Sequence, residues 1–461
     1  MRDINKILDR INQIDTVLEL APVLKKMPVV EVGEILNQLD ETLLFSVLDQ
    51  FSPQQQGLIF AEFSMHKMIS IFQTTSKKRF SIIFENMPSE IRADLYQHLS
   101  QDEQADLLPF LNKSTRENVV QLSSYEPESA GGIMSTDFST ISAEMTCQDA
   151  IEKVRSDAPS KRTIYYIYVT NNREELMGFV TLKDLIMANP KMEVSKILHD
   201  KFISALVTDD REEVARLIEK YDLVALPILN KKGQLVGIVT HDDAIEIIRA
   251  EQTEDMEKIM GILPGDEDLN YIDTSVWKHF SKRVIWLVSL AAFGVISGVI
   301  IHRFESLLDQ LIILALYMPM VADTGGNSGS QSATVVIRSM ALKQFSPKSW
   351  LMVIWKETRI SILVAICLGV LAFLKVMFLS WETSIPSTFS LPQIATVIAV
   401  ALSLQVITAT MIGAGLPLIV KRFGGDPAIV ASPAITTTVD ITGLLIYFGV
   451  ISLFLSGFTF G

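Results

Sequence analysis

The sequence predicts a multidomain chain in which a helical domain, an α/β repeat and a connecting helix precede an all-α membrane domain with five spanning helices. Residues 1–283 hold 31 basic and 46 acidic residues, whereas the rest of the chain holds nine and seven. That second part contains five long apolar stretches, and residues 135–250 repeat with a period of 59 residues. From these changes in composition we expect four domains, with boundaries at 1–130, 131–250, 251–278 and 279–461.

The first domain is predicted to contain stacked helix hairpins, because similar helix starts recur at Ser52-Pro53 and Met87-Pro88. Asp102 and Asp106 lie four residues apart, so both carboxylates point to one helix face and repel each other. A bound cation would offset this repulsion, and a solvated acidic face is the alternative. The acidic composition suits hard cations and disfavours nucleic acid, which binds basic surfaces.

The internal repeat is carried by two matching segments, Gly178-Phe179-Val180-Thr181-Leu182-Lys183-Asp184 and Gly237-Ile238-Val239-Thr240-His241-Asp242-Asp243. Each follows an amphipathic helix and an apolar strand, which gives the order β-α-β-β-α twice. This order and its closing motif resemble a tandem CBS-domain pair. The resemblance implies an adenosyl-ribose contact at Asp184, together with Tyr166, and makes ATP the candidate regulatory ligand. The alternative role for Asp184 is that of a helix N-cap.

The membrane domain is predicted from apolar stretches that reach the roughly 20 residues needed to cross a bilayer. They run at 284–304, 307–341, 359–381, 391–420 and 427–458. Lys and Arg concentrate before the first stretch, after the second and between the fourth and fifth. Because basic loops remain in the cytoplasm, we expect a cytoplasmic N-terminus and an external C-terminus in the plasma membrane.

The second apolar stretch is too long for one straight crossing, since about 35 residues extend over roughly 50 Å. We expect a break at Pro319 and in the glycine-rich polar run Asp323–Gln331 that follows it. Such a run either packs helices closely through small residues or lines a cavity. Both interpretations stay open at this point.

Asp440 lies in the middle of the last apolar stretch, where a charged side chain costs about 2.5–3.5 kcal/mol. Its neighbours are threonines without a basic partner, which favours a cation site over a protonated Asp hydrogen-bonded across a helix interface. One carboxylate per chain is little for a divalent ion, and a two-fold dimer would supply a second. An oxygen-only site without His favours hydrated Mg2+ over Zn2+ or Cu+, with Mn2+ and Co2+ left open.

The domain order and three motifs resemble the MgtE family of magnesium channels over essentially the whole chain. The motifs are Thr324–Gln331, Gly425-Asp426-Pro427-Ala428 and Asp440-Ile441-Thr442-Gly443-Leu444-Leu445. The resemblance implies a homodimer with a central pore lined by the second and fifth spans, and cytosolic Mg2+ as the inhibitory ligand. It implies pore ligands at Asp440, Thr436 and Ser432, and a pore-lining motif with Asp323, Gly325, Gly326, Asn327 and Gln331. It also implies regulatory metal ligands among acidic residues: Asp102, Asp106, Asp210, Glu212, Glu251, Glu254, Asp255 and Asp426.

Three functions compete on these residues. A gated Mg2+ channel is the preferred interpretation. A coupled secondary transporter of divalent cations would need a second ionisable group in the spans, and only Asp323 and Asp309 qualify in the sequence. A membrane-bound nucleotide sensor has no need for a mid-span acid such as Asp440. An enzyme is not expected, because the chain shows no hydrolase or transferase constellation and no P-loop sequence.

Overall fold

The computed structural model describes residues 17–265, 271, 274–345, 347–383, 385–386, 388–430 and 432–454. The chain divides into two compact units, Met1–Glu251 and Gln252–Gly461. Predictions that fall on residues outside these ranges, such as part of the 251–278 segment, lie beyond the described part of the chain.

The first unit opens with short α-helices, which within the described residues are Val17–Leu24 (α1), Val29–Asn37 (α2), Glu41–Leu48 (α3), Pro53–Ala61 (α4), Met65–Thr74 (α5), Lys77–Glu85 (α6), Ser89–His98 (α7), Gln101–Leu107 (α8) and Lys113–Leu122 (α9). Five of them begin after a residue whose side chain accepts a hydrogen bond from the next turn: Asp40, Ser52, Ser64, Ser100 and Asn112. Such caps satisfy backbone donors that a helix leaves unpaired. The core between these helices is built around the buried rings of Phe60, Phe72, Phe80 and Phe84.

Two α/β repeats complete the first unit. After Ala130–Ile133 (α10), the first repeat comprises Thr140–Ser142 (β1), Cys147–Asp157 (α11), Tyr166–Thr170 (β2), Leu176–Thr181 (β3) and Leu182–Met187 (α12). The second comprises Ala205–Leu206 (β4), Arg211–Tyr221 (α13), Ala225–Leu229 (β5), Leu235–Thr240 (β6) and His241–Ile259 (α14). The residues of α14 that follow Glu251 belong to the second unit. The sheets have the orders β1-β2-β3 and β4-β5-β6, each with a parallel pair followed by an antiparallel pair. Tyr166 pairs with Thr181 and Ala225 pairs with Thr240, so the same register recurs at the 59-residue period and confirms the repeat.

The second unit is helical, with Val276–Arg303 (α15), Glu305–Gln310 (α16), Ile312–Ala341 (α17), Trp350–Leu379 (α18), Leu391–Arg422 (α19) and Ser432–Phe454 (α20). Helix α19 packs against α17, α18 and α20, and α17 also packs against α20. The core includes Tyr447, whose hydroxyl donates to the Leu314 carbonyl at 2.7 Å.

Four described helices are long and apolar enough to cross a membrane, at Val276–Arg303, Trp350–Leu379, Leu391–Arg422 and Pro433–Phe454. Helix α17 has 30 residues but carries the polar run that begins at Asp323, and it is not among the four. The count of five spans therefore stays a prediction.

The expected break at Pro319 is wrong. Helix α17 continues from Ile312 to Ala341 through Pro319 and the glycine run. The interruption lies earlier, at Leu311, whose backbone leaves the helical region at φ −129° and ψ 69°. Packing against neighbouring helices stabilises glycines that would be poor helix formers in water.

Candidate functional site

One face of α17 is polar and open. Asp323, Asn327 and Gln331 follow one another at intervals of four residues, so they share a face of the helix, and all three are exposed in the single chain. The Asn327 amide nitrogen lies 3.4 Å from an oxygen of the Asp323 carboxylate. The result is a row of carboxylate and amide groups in a helix whose neighbours are apolar.

The opposite face of α17 is lined by glycines that permit close packing. A Cβ added at Gly325 would lie 2.5 Å from the Gln405 amide nitrogen, and one at Gly326 would lie 3.2 Å from Thr436. The corresponding distance from Gly329 to the Ala409 carbonyl oxygen is 3.1 Å. The packing interpretation of the glycine run is thus confirmed, while the polar side chains of the same run lie on the other face.

Asp440 is half-buried on α20, one turn after Thr436. It is close enough to Asp323 on α17 for the two carboxylates to interact electrostatically. Among the described residues, no hydrogen bond joins the Asp440 carboxylate to another helix, which argues against the alternative of a structural, interface-bonded acid. The site is therefore built from oxygen ligands and carries negative charge.

The side chain of Ser432, predicted as a pore ligand, lies outside the described part of the structure. Within the described ranges, no group of three or more His, Cys, Asp or Glu side chains is arranged to hold a metal ion. A cation at Asp440 would thus depend on water, on backbone and hydroxyl oxygens, or on a second copy of the chain.

The predicted regulatory acids of the first unit occupy separate places. Asp102 and Asp106 both lie exposed on α8. Asp210 is the N-cap of α13 and accepts a hydrogen bond from the Glu212 backbone at 2.8 Å. The Glu212 side chain pairs with Arg216 on the same helix.

Arg211 joins two further acids of this unit. Its Nε lies 2.7 Å from Glu251, a predicted metal ligand, and 2.9 Å from Glu128. A guanidinium group therefore neutralises acids at a position where the sequence suggested a divalent ion.

In the second unit, Lys258 neutralises the carboxylates of Glu254 and Asp426, as Arg211 does for Glu128 and Glu251. Its Nζ lies 2.7 Å from the Glu254 carboxylate and 2.8 Å from that of Asp426. Burial alone would lower the pKa of Lys258, but its hydrogen bonds to Asp426 and Glu254 raise the pKa, so the amine is protonated. Asp255 also has interaction partners. The sequence showed the four-residue spacing of Glu254 and Lys258, but it gave no sign that Asp426 lies beside them.

A larger acidic cluster around Arg162 was missed by sequence reasoning. Arg162 lies 3.1 Å from Glu90 on α7 and 2.8 Å from both Asp242 and Asp243 on α14. Burial raises the pKa of Glu90, and the Arg162 charge opposes that effect. These residues are separated by 70 or more positions in the chain, so no local pattern could associate them.

The two candidate nucleotide residues lie on neighbouring elements, since Tyr166 of β2 pairs with Thr181, three residues before Asp184. Asp184 is not an N-cap: Thr181 caps α12, and Asp184 completes a capping box by accepting from the Thr181 backbone at 3.0 Å. His199 Nε2 also lies 3.0 Å from Asp184. Tyr166 lines a mainly apolar cleft together with Tyr168, Phe179 and Phe202, and Asp184 is not among its lining residues.

A further acid in the membrane-type helices was also missed. The carboxylate of Glu357 on α18 accepts a hydrogen bond from the Ser332 hydroxyl of α17 at 2.8 Å. The sequence placed the third span at 359–381, which excluded Glu357, whereas the helix begins at Trp350. A predicted span that began at Trp350 would have included Glu357.

Comparisons with known proteins match most of the chain. The family model of the MgtE intracellular N domain matches residues 27–128, the CBS domain model matches 130–191 and 194–250, and the MgtE model, described as a divalent cation transporter, matches 318–450. The magnesium transporter MgtE of Thermus thermophilus is 38% identical over 345 residues, which covers 75% of this chain and 74% of that protein. The magnesium transporter MgtE of Bacillus subtilis is 37% identical with the same coverage.

Among solved structures, the cytosolic domain of the Mg2+ channel MgtE in complex with ATP is similar at 30% identity and a TM-score of 0.49. The match covers 52% of this chain and 98% of that structure. The soluble part of a magnesium transporter matches at 28% identity with the same TM-score, covering 54% of this chain and 96% of that structure.

Proposed function

Because this chain belongs to the MgtE family of divalent cation transporters, we propose that it conducts Mg2+ into the cell as a channel that cytosolic Mg2+ closes. The observation that carries the proposal is Asp440, a carboxylate in the middle of an apolar helix, without a basic partner among the described residues. A charge in that place is functional by default, because lipid exposure would be strongly unfavourable.

The proposed conduction path follows the open polar face of α17 and the Asp440 face of α20. A homodimer would place two copies of Asp440, Thr436 and the Asp323 row around one axis. Four or more carboxylates would then attract a hydrated divalent cation without removing all its water, as Mg2+ requires. The lack of a complete ligand set in one described chain supports this assembly.

The test is Mg2+ uptake into liposomes that contain the purified full chain. Asp440→Asn keeps the size of the side chain and removes its charge, so we expect Mg2+ flux to fall to background while the dimer persists. Glu382→Gln, which removes an exposed acid at the end of α18, is the matched control and should conduct normally. Near-normal flux through Asp440→Asn would refute the proposed site.

Closure by cytosolic Mg2+ is proposed to act through the acidic residues of the first unit and the connector. Residues 1–283 carry 15 more acidic than basic residues, and this self-repulsion destabilises a compact state. Exposed Asp102 and Asp106 have no hydrogen bond or ion pair within the described residues, whereas Glu212, Glu251, Glu254 and Asp426 already pair with Arg or Lys. Raising internal Mg2+ should close the wild-type channel, and the joint variant Asp102→Asn/Asp106→Asn should need more Mg2+ for closure. An unchanged Mg2+ dependence of closure would exclude this acidic pair.

We propose five spans, including α17, with the N-terminus in the cytoplasm, the C-terminus outside and the four domain boundaries predicted from the sequence. The basic residues near the ends of the helices support this orientation. Labelling of single cysteines placed in the 380–390 and 421–426 loops of intact cells tests it. The first loop should react with an impermeant reagent and the second should not; the reverse pattern would overturn the topology.

ATP is proposed as a regulatory ligand of the α/β repeats, in the cleft beside Tyr166. Its aromatic lining offers stacking surfaces for a base. Calorimetry on the full chain should show that Tyr166→Ala weakens ATP binding more than Asp184→Ala, because Asp184 lies outside the cleft. Both variants should keep basal Mg2+ flux, and no ATP heat with the wild type would exclude the ligand.

A coupled carrier is the second candidate, and Glu357 is the observation that favours it. It supplies a second ionisable group beside α17, which the sequence alone did not reveal. A proton gradient imposed without a Mg2+ gradient separates the two functions. A channel will not accumulate Mg2+, whereas a proton-coupled carrier will accumulate Mg2+ and lose this property in Glu357→Gln.

A further inference from the structure

Gln405 lies midway along α19, in the apolar layer directly behind the candidate site. Its side chain is fully buried. Its amide nitrogen donates a hydrogen bond of 2.8 Å to the backbone carbonyl of Val439, the residue that precedes Asp440. Its amide oxygen has no hydrogen-bond partner among the described residues, although an unpaired buried acceptor is destabilising.

Two glycines from different helices form the slot that holds this amide. A Cβ at Gly325 of α17 would lie 2.5 Å from the Gln405 amide nitrogen, and a Cβ at Gly443 of α20 would lie 2.6 Å from the same atom. Both distances are below 3.0 Å, so a side chain at either position would force the amide to move. The Gln405 side chain of α19 therefore occupies the slot between these two glycines and contacts both α17 and α20.

The orientation of the amide follows from its partner. Exchanging its nitrogen and oxygen would direct the oxygen at the Val439 carbonyl oxygen, so that two acceptors would face each other. The Val439 carbonyl also accepts a hydrogen bond from the Thr442 hydroxyl at 3.1 Å. The backbone on the N-terminal side of Asp440 is thus held by a side chain from another helix.

We propose that Gln405 is a positioning residue for ion passage: it fixes the rotation and height of α20 so that Asp440 is set at a defined distance from the polar face of α17. The inference rests on the proposed role of Asp440 in conduction. Mg2+ demands nearly ideal octahedral geometry, whereas Ca2+ accepts variable ligand distances. Loosening the Asp440 backbone should therefore reduce the preference for Mg2+ over Ca2+ more than it reduces total flux.

The test compares Mg2+ and Ca2+ flux in liposomes for variants of the full chain. Gln405→Met has similar length but no hydrogen-bond donor, and its Mg2+/Ca2+ flux ratio should fall roughly tenfold, the order expected when a preorganised group is misplaced by a fraction of an ångström to about 1 Å. Gly325→Ala should lower the ratio as well, because the new methyl group displaces the amide. The matched control is Gly449→Ala on α20, where a Cβ meets nothing within 4 Å; its ratio should remain that of the wild type.

Two further variants keep the test decisive if Gln405→Met folds poorly. Gln405→Glu, whose carboxyl group burial keeps protonated at neutral pH, can donate to the Val439 carbonyl and should keep the wild-type Mg2+/Ca2+ flux ratio. In Gln405→Ala, the slot is empty, so adding Gly325→Ala should cost little further selectivity.

Wild-type selectivity in Gln405→Met, or a large further loss of selectivity when Gly325→Ala is added to Gln405→Ala, would overturn the positioning role. The proposed function fails separately, through conduction by Asp440→Asn. Loss of flux in Asp440→Asn together with unchanged selectivity in Gln405→Met would retain the channel and remove only this inference.

Discussion

Replacing Lys258 with Met removes the ammonium group that lies between Glu254 and Asp426 and leaves two carboxylates facing each other. The three side chains are 21%, 29% and 34% exposed, respectively. Loss of the cation should therefore cost about 1–2 kcal/mol, between the ~0.2–1 kcal/mol of exposed pairs and the ~3–5 kcal/mol of a broken buried pair. Since about 1.4 kcal/mol corresponds to a tenfold change in an equilibrium constant, the connector should detach roughly ten times more often.

The connector has further contacts that make this detachment measurable. Ile259 packs against an apolar cluster that includes Ile435 and Val439, and the Leu263 backbone donates to the Lys282 carbonyl at 3.0 Å. Amide hydrogen exchange over residues 252–263 of the full chain reports on these contacts. In Lys258→Met the exchange should be faster without Mg2+ and should slow when Mg2+ replaces the lost charge.

The control for this prediction is Lys258→Arg, which keeps the charge and should retain wild-type protection in the absence of Mg2+. Equal protection of Lys258→Met and the wild type in chelator would show that the ammonium group does not hold the connector. Slow exchange in the wild type without Mg2+ would show that this contact forms without a metal ion.

Three other predictions concern the first unit and α18. Arg162→Ala leaves Glu90 buried and unpaired, so it should lower the free energy of unfolding by about 3–5 kcal/mol; chemical denaturation measures this, and exposed Arg155→Ala should change little. Burial alone would raise the pKa of Asp184, but hydrogen bonds from Thr181 and the contact with His199 outweigh it and lower the pKa. Asp184→Asn should therefore have a lower free energy of unfolding than the wild type above pH ~3.9, the pKa of an Asp in the unfolded chain. The difference between the two proteins should shrink as the pH falls below that value, and a difference that persists in acid contradicts this prediction. Ser332→Ala removes the donor to Glu357 and should reduce the free energy of unfolding by about 1 kcal/mol. Thr334→Ala, which removes an exposed hydroxyl of the same helix, is the control and should change it less.

Local sequence patterns were sufficient for the α/β repeats and the apolar helices. The 59-residue period fixed the register of both antiparallel strand pairs, because matched residues occupy matched places in each sheet. The same approach failed at Pro319, since propensities for isolated helices in water do not include the packing of Gly325 and Gly329 against α19. The N-cap role offered as the alternative for Asp184 belongs instead to Thr181, three residues earlier.

The residues that sequence reasoning missed are polar groups whose partners lie far along the chain. Arg162 and Gln405 have no distinctive neighbours in sequence, and Lys258 has only Glu254 four residues before it. Their remaining partners are brought beside them by the fold. The acids around them were recognisable as a class, and that is why divalent cations were expected between them. A pattern of acids cannot indicate whether the fold supplies the compensating charge itself.

Among the described residues, helices α1 to α9 are each seven to ten residues long, from α8 with seven to α5, α7 and α9 with ten. Helices of this length are marginal in water when isolated, so each depends on the shared phenylalanine core around Phe80. Loss of one helix removes part of the core on which the others rely, and the domain should melt as a single cooperative block. Because none of these helices should unfold independently, a displacement at one edge of the domain should be passed to the opposite edge with little loss.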